Sequence, residues 1–331
     1  MPVVLIVAHK DDLHAERIEQ ELHRRGADHF HLDTGVFPSE NADIVLAIED
    51  GSFSGKLRFN NKSVNVADIA SAYFKEVITY DSANTRLTAN RAEFIQCESG
   101  EALFALWRCL SLQGCLWLND PAAMWPASSK LFQQALAAQL GFKVPDTLVT
   151  TEVQIARAFI AAHQNGTVTK LLDAGTVVVD DQGEAYGVPT SLIDLATFEN
   201  HKDVLRQVPY CFQEYVPKGI DLRVTVVGDN VFPVEIHSEQ VDWRIDDVEN
   251  IAHVRHVLPT RLEDLSRQLL RKLGLAYGAI DMVLTPSGDY YFLEVNSVPA
   301  WAWIEDRTGF QICAAICDML LSRRRPSDSS G

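Results

Sequence analysis

Hydrophobic and polar positions along the chain follow two different periods. Near the start, "VVLIVAH" is a short unbroken apolar run that fits a buried strand, and "LHAERIEQELHRRG" then repeats its apolar residues at helical spacing until Gly26 closes it. "DHFHLDT" and "DIVLAIED" read as further strands, so the chain opens as an α/β unit. "GSFSG" at 51–55 is expected to turn the chain into more strands, with a helix through "AEFIQCESGEALFALWRCL" and a strand in "CLWLND" after it. Pro121 and Pro126 flank a break, which places the end of a first domain near residue 120.

The next stretch, "SSKLFQQALAAQLGFKVPDTLVT", begins with serines suited to cap a helix, and Gly141 ends it. After the helix "EVQIARAFIAAH" come the β-rich runs "GTVTKLL" and "GTVVVDDQGEAYGV", and then strands in "YCFQEYV", "LRVTVVG" and "VFPVEIHS". A helix over 261–273, the hairpin "DMVLTPSGDYYFLEVN" and a last helix from about Thr308 complete the pattern. Antiparallel strands with flanking helices make this portion α+β. Domains are expected at 1–120, 121–190 and 191–331, and only the tail "SRRRPSDSSG" reads as disordered.

Composition narrows the class of partner. With 29 Lys plus Arg against 45 Asp plus Glu among 331 residues, the chain is acidic, which argues against nucleic acid and against anionic membrane. No apolar stretch is long enough to span a bilayer, and His9, Lys10, Asp11 and Asp12 interrupt the N-terminal run, so it is not a signal peptide. Six scattered cysteines without a Cys-x-x-Cys pair point to a reducing, cytoplasmic setting rather than a disulfide framework. Cys313 and Cys317, at i and i+4, read as core packing. His237, His253 and His256 have no metal-ligand spacing and read as solvated or hydrogen-bonded residues.

Candidate chemistry concentrates in the hairpin. Pro286 and Gly288 supply turn chemistry, and a turn centred between Ser287 and Gly288 sets Asp281 directly opposite Glu294, with Cβ atoms roughly 4.5–5.5 Å apart. Asn296 projects from the same face, while Ile280, Met282, Leu284, Leu293 and Val295 form the apolar face opposite. Two facing carboxylates with an amide beside them suit a hard divalent cation. An acid at a wet sheet edge, or one paired with a lysine, is the competing reading.

Upstream, Gln213, Glu214, Tyr215 and Val216 form a strand end whose backbone suits an adenine edge, with an acid nearby for ribose hydroxyls. Asp221 and Arg223 share one strand face. Lys130 and Lys170 lie in apolar surroundings that suit phosphate contacts, although a lone lysine is more often solvated. Arg244 in "VDWRIDD" offers a guanidinium to phosphate oxygens.

Taken in order, "QEYVPKGIDLRVTVVGDNVFPVEIHS", "DWR", "LGLAYGAIDMVL" and "YYFLEVN" resemble the ATP-grasp superfamily, in its RimK-type branch of amino-acid and peptide ligases. The opening, through "DTGVFP", and the ending "EVNSVPAWAWIEDRTGFQICAAICDML" resemble the microviridin-type ligases, or graspetide synthetases. Two departures stand out: Ser297 where proline is usual, and "YFK" at 73–75 where Tyr-Arg-Arg is common.

The resemblance implies an ATP-grasp fold behind an N-terminal α/β pre-ATP-grasp domain. It further implies ATP and Mg2+, the ion held by Asp281, Glu294 and Asn296. Lys170 would contact phosphates, Gln213, Glu214, Tyr215 and Val216 adenine, Asp221 ribose and Arg244 phosphate oxygens; beside the resemblance, the residues themselves make Lys130 a second phosphate candidate and Arg223 a second arginine of the reacting centre. The implied partner is a ribosomal precursor peptide, leader plus acidic core, whose Asp or Glu side chains close as ω-esters or ω-amides, in a homodimer. A RimK-like ligase that adds an amino acid, and a non-catalytic nucleotide binder, are the alternatives. Residues 1–120 are the expected leader surface, with Lys75 and Arg86 as basic contacts.

Overall fold

The computed structural model describes residues 2–39, 41–75, 89–172, 177–179, 185–203, 206–246 and 250–322. Arg86, part of the loop after Lys170 and the tail beyond Ser322 lie outside the described residues. The chain opens with β1 (Val3–Val7), α1 (Leu13–Arg24), β2 (His29–Leu32), β3 (Ala42–Glu49), β4 (Ser52–Phe59), β5 (Lys62–Asn65), β6 (Ile69–Phe74), α2 (Ala89–Leu112) and β7 (Leu116–Leu118). Four of these strands form a parallel sheet in the order β2-β1-β6-β7, and β3-β4-β5 form an antiparallel one. The run "VVLIV" is apolar throughout because β1 is covered on both faces. Val4 and Ile6 pack with Ile18 and Leu22 of α1, while Leu5 and Val7 meet Leu106 and Trp107 of α2. Asp12 starts α1 by accepting a hydrogen bond from the Ala15 N–H at 2.7 Å.

The stretch 51–55 departs from expectation. Only Gly51, at φ +75°, turns the chain, and Ser52–Gly55 already belong to β4. Gly55 is needed there because a Cβ would sit 2.7 Å from the Val45 carbonyl oxygen on the neighbouring strand.

A second group follows: α3 (Pro121–Ala127), α4 (Lys130–Leu140), β8 (Thr147–Thr150), α5 (Val153–Ala162), β9 (Thr167–Lys170), β10 (Val177–Val179), β11 (Ala185–Gly187), β12 (Ser191–Ile193), α6 (Leu195–His201) and β13 (Tyr210–Glu214). The break expected at Pro121 is instead the helix α3. Asp120 caps it through the Ala122 N–H at 2.9 Å, and Pro121 stands in the first turn, where its missing N–H costs nothing. Strands β12-β9-β13-β8 form an antiparallel sheet, so this sheet takes in Tyr210–Glu214, beyond residue 190.

The last group is β14 (Ile220–Val227), β15 (Asn230–His237), β16 (Ala252–Arg255), α7 (Thr260–Lys272), β17 (Tyr277–Leu284), β18 (Tyr290–Asn296), α8 (Ala302–Thr308) and α9 (Ile312–Leu321). Its sheet runs β16-β15-β14-β17-β18, with α7 packed on one face. Helix α8 precedes the helix expected from Thr308, and Gly309, at φ +67°, separates it from α9. Helix α9 returns to the first sheet, where Ile316 and Leu320 join Val4, Ile6 and Leu118 in one core. Among the described residues, no helix is long and apolar enough to cross a membrane.

Candidate nucleotide and metal site

The hairpin pairs Asp281 directly with Glu294, and Ala279 with Asn296. Beyond that pair the register slips by one, so Met282 faces Phe292 and Leu293 is the extra residue of a bulge. Consequently Phe292, not Leu293, fills the apolar face beside Ile280, Met282 and Val295. Leu293 moves to the wall of a cavity that also contains Asp281 and Glu294.

That cavity lies between the four-stranded and the five-stranded sheets. From the first come Val168, Lys170 and Gln213, and Glu214, Tyr215 and Val216 continue its rim. The second contributes Asp221, Asp281 and Glu294, and the loop after β15 adds Asp242, Trp243 and Arg244. Lys170 and Gln213 share a strand face, and the Lys170 ammonium donates to Gln213 Oε1 at 3.0 Å. Gln213 Nε2 in turn donates to Thr147 Oγ1 at 2.8 Å, which fixes the amide. The N–H groups of Glu214 and Tyr215 are already donated, to Asp146 O at 2.8 Å and Gly166 O at 3.0 Å. Gln213 itself sits in the ladder between Val168 and Thr147.

Arg223 donates from Nη1 to both oxygens of the buried Asp281, each at 2.8 Å. Its Nε is buried without a partner among the described residues, so the guanidinium retains donor capacity toward an anion. Arg244 is held by Asp242 through Nε at 2.8 Å and Nη2 at 2.9 Å, and its Nη1 lies 3.3 Å from Glu294 Oε1. Asp242 is itself anchored by the Thr190 N–H at 3.1 Å. Lys218 forms an ion pair with Asp221 and also donates to the Gln240 carbonyl.

Burial and neighbours drive the carboxylates apart in acidity. Burial is the largest influence on Asp281 and raises its pKa, against the pull of Arg223. Burial also opposes the charge of Glu294, yet Lys170, Arg244, Lys130 and Arg223 together hold its pKa below the ordinary value. Asp221 is pushed up to about 6, chiefly by burial, with Lys218 opposing. For Arg244, burial works against the charge, but Asp242 and Glu294 raise its pKa further. Burial lowers that of Lys130.

Three of the expected site residues stand apart from the cavity wall. Lys130 turns to the Leu171 carbonyl at 2.7 Å and acts on Glu294 through its charge. Arg223 lies behind Asp281. Asn296 is exposed, and its Oδ1 accepts from the Val298 N–H at 2.9 Å, leaving a second lone pair. A hard divalent ion fits this set, because Asp281, Glu294 and Asn296 offer only oxygen donors and two guanidinium groups are already drawn to the carboxylates.

Sequence reading missed the residues that hold the hairpin in place. Gln133 lies along the edge of β18, donating to Val295 O and accepting from Val295 N, both at 2.8 Å, while Gln134 donates to the Leu293 carbonyl. Asn119 makes four hydrogen bonds to Ala276, Tyr277 and Ser297. Adjacent glutamines within an amphipathic helix were the available signal for the first two. Asp242, two residues before Arg244 in "VDWR", was missed as well. Of the three histidines, His237 and His256 both contact Glu235, at 2.9 and 2.7 Å.

Fold and cavity together define an ATP-grasp enzyme, in which nucleotide binds between two antiparallel sheets. Residues 3–124 match the MvdD pre-ATP grasp domain and residues 127–320 the RimK-like ATP-grasp domain. The chain belongs to the RimK-like ATP-grasp family. Among solved structures it is similar to a Chryseobacterium gregarium RiPP-associated ATP-grasp ligase in complex with ADP and a leader and core peptide. That likeness has 26% identity, 98% of both chains covered and a TM-score of 0.89. Macrocyclase MdnB from Microcystis aeruginosa MRC is 30% identical, over 97% of this chain and 99% of its own, with a TM-score of 0.80. A curated relative, the probable alpha-L-glutamate ligase of Legionella pneumophila (strain Corby), is 22% identical over 68% of this chain and 74% of its own length.

Proposed function

We propose that this ATP-dependent ligase activates an Asp or Glu side chain of a ribosomal precursor peptide and closes it onto a Ser or Thr hydroxyl, or a Lys amine. The observation that carries this reading is the end-to-end likeness, opening third included, to a ligase solved with leader and core peptides. In this reading the segment Gln213–Val216 meets adenine, Asp221 accepts from ribose hydroxyls, and Lys130 and Lys170 hold phosphates. Asp281, Glu294 and Asn296 would hold Mg2+, which when bound offsets charge on the phosphate oxygens.

The chain's own groups then position and neutralise. Arg244, oriented by Asp242, faces the oxygens of the transferring phosphoryl group, and Arg223 supports the reacting centre from behind by holding both oxygens of Asp281. A carboxylate oxygen of the peptide attacks the γ-phosphorus, and ADP leaves with the bridging oxygen. The hydroxyl or amine of the same peptide next attacks the acyl carbon, loses its proton, and inorganic phosphate departs with the electrons of the carbon–oxygen bond. Holding both groups of one chain together supplies much of the rate. No protein nucleophile is required.

The test is incubation with ATP, Mg2+ and a candidate precursor rich in Ser or Thr and in Glu or Asp. The peptide mass should fall by one water per ring, with one ADP released each time. The likeness to a glutamate ligase favours a second reading, addition of a free amino acid, which would raise the mass instead. Nucleotide binding without any ADP release would leave only a binding protein.

A further inference from the structure

Beyond the cavity, on the far side of the strand that ends in Glu214, three ligand-type side chains converge from separate segments. Asp146 precedes β8, His163 follows α5, and one ligand atom from each, together with one from Glu214, lies within 4.8 Å of the others. Gln213 faces the cavity with Lys170, so alternation along the strand turns the Glu214 side chain away from it. The backbone holds the acids together: Glu214 N–H donates to Asp146 O at 2.8 Å, and Asp146 N–H reaches Glu214 Oε2 at 3.4 Å.

The imidazole is fixed by two contacts outside this cluster. His163 Nδ1 lies 2.8 Å from the Phe159 carbonyl oxygen, and the ring packs on Phe159 at 4.2 Å between centroids. A carbonyl only accepts, so Nδ1 carries a hydrogen, and Nε2 is the ring nitrogen that faces the carboxylates. Asp146 Oδ2 is 3.4 Å from that nitrogen. One imidazole nitrogen and two carboxylates facing one another form a donor set for a cation, and a backbone carbonyl on the second ring nitrogen is the arrangement that orients a metal-binding histidine.

We propose that His163, Asp146 and Glu214 bind a divalent transition ion of the zinc class, and that this ion is coupled to nucleotide binding. One imidazole and two carboxylates suit such an ion, whereas Mg2+ takes oxygen donors. Bonds of about 2.0–2.2 Å around a tetrahedral ion place its ligand atoms roughly 3.3–3.6 Å apart. The His163–Asp146 pair already has that spacing, and Glu214 has only to close by roughly 1 Å on a flexible side chain. Asp146 is exposed, which leaves the fourth position to water. Coupling follows from position, since Glu214 adjoins Gln213, whose amide holds Lys170. By linkage, the ion and the nucleotide change each other's affinity by the same factor.

The test uses the full chain freed of metal by a chelator and titrated with Co2+ in millimolar Mg2+, which occupies the oxygen-only site. A visible d–d band should saturate at one equivalent. His163→Ala should weaken Co2+ binding by more than the roughly 10–100-fold expected for losing a supporting contact alone. Asp146→Asn, at a solvent-exposed position, should also weaken it. The ADP dissociation constant should shift on adding Co2+ in the parent and not in His163→Ala. No band in the parent, or a band unchanged by both substitutions, overturns the site. A band lost in the variants with ADP affinity indifferent to Co2+ overturns the coupling.

Discussion

Asn119 links the first sheet to the hairpin that carries the candidate metal ligands, and truncating it isolates that link. The residue is 1% exposed. Its Nδ2 donates to Tyr277 O at 2.6 Å and Ser297 O at 2.8 Å, and its Oδ1 accepts from the N–H groups of Ala276 at 2.8 Å and Tyr277 at 2.9 Å. Asn119→Ala leaves all four backbone groups without that partner. Water reaches Ala276 and Ser297, which are only partly buried, but not Tyr277. Two fully buried orphans at ~1–3 kcal/mol each give a loss of about 2–6 kcal/mol, a large share of the ~5–15 kcal/mol that stabilises a folded protein. Urea unfolding followed by tryptophan fluorescence should show the loss. Exchange of the Tyr277 amide should accelerate by roughly two orders of magnitude for about 3 kcal/mol. ATP turnover should fall as well, because Tyr277 begins the strand that holds Asp281 and Ser297 follows Asn296. Stability within about 0.5 kcal/mol of the parent, with unchanged exchange at Tyr277, would refute the premise that these bonds are needed.

Other substitutions probe the site and its supports. Glu294→Gln combined with Asn296→Ala should abolish ATP turnover while far-UV circular dichroism stays that of the parent; full turnover would remove the metal assignment. Asp242→Ala frees Arg244 from its anchor, and kcat should fall by roughly a hundredfold while the structure melts near its original temperature. Burial disfavours the charge of both partners in the Glu19–His31 pair, but their mutual bond lowers the pKa of Glu19 below 4.5 and raises that of His31 above 6.5. The stabilisation from Glu19 is lost as pH falls below its ordinary value, and that from His31 as pH rises through its raised folded value. Glu19→Gln should therefore lower Tm most between about pH 4.5 and 6.5, by an amount equivalent to about 1 kcal/mol, with the gap narrowing on either side. A pH-independent difference would contradict the pairing.

By itself, the sequence determined the features that depend on neighbours a few residues away. Periodicity outlined β1, α1, α4, α7 and the hairpin, but the register beside the turn is one residue off the expected one, with Leu284 opposite Tyr290, and the bulge at Leu293 is what brings Asp281 opposite Glu294. The sequence motifs also carried the family resemblance. Short helices escaped this reading: α3 contains two prolines and α8 starts between the closely spaced Trp301 and Trp303, and neither is long enough to display a helical period. The bulge at Leu293 escaped it too, since one extra residue reverses which side chain faces the core without altering the apolar pattern nearby.

Only tertiary structure decided what surrounds the acids. Arg223 reaches Asp281 across 58 positions, Arg244 reaches Glu294 across 50, and Gln133 closes the edge of β18 from 162 positions away. Lys130, at the start of α4, donates to the Leu171 carbonyl 41 positions away. Spacing along a chain fixes which residues share a strand face or a helix turn. Which charge ends up buried beside which depends on how whole sheets pack, and that packing sets the cost of desolvation and hence the acidity of each group.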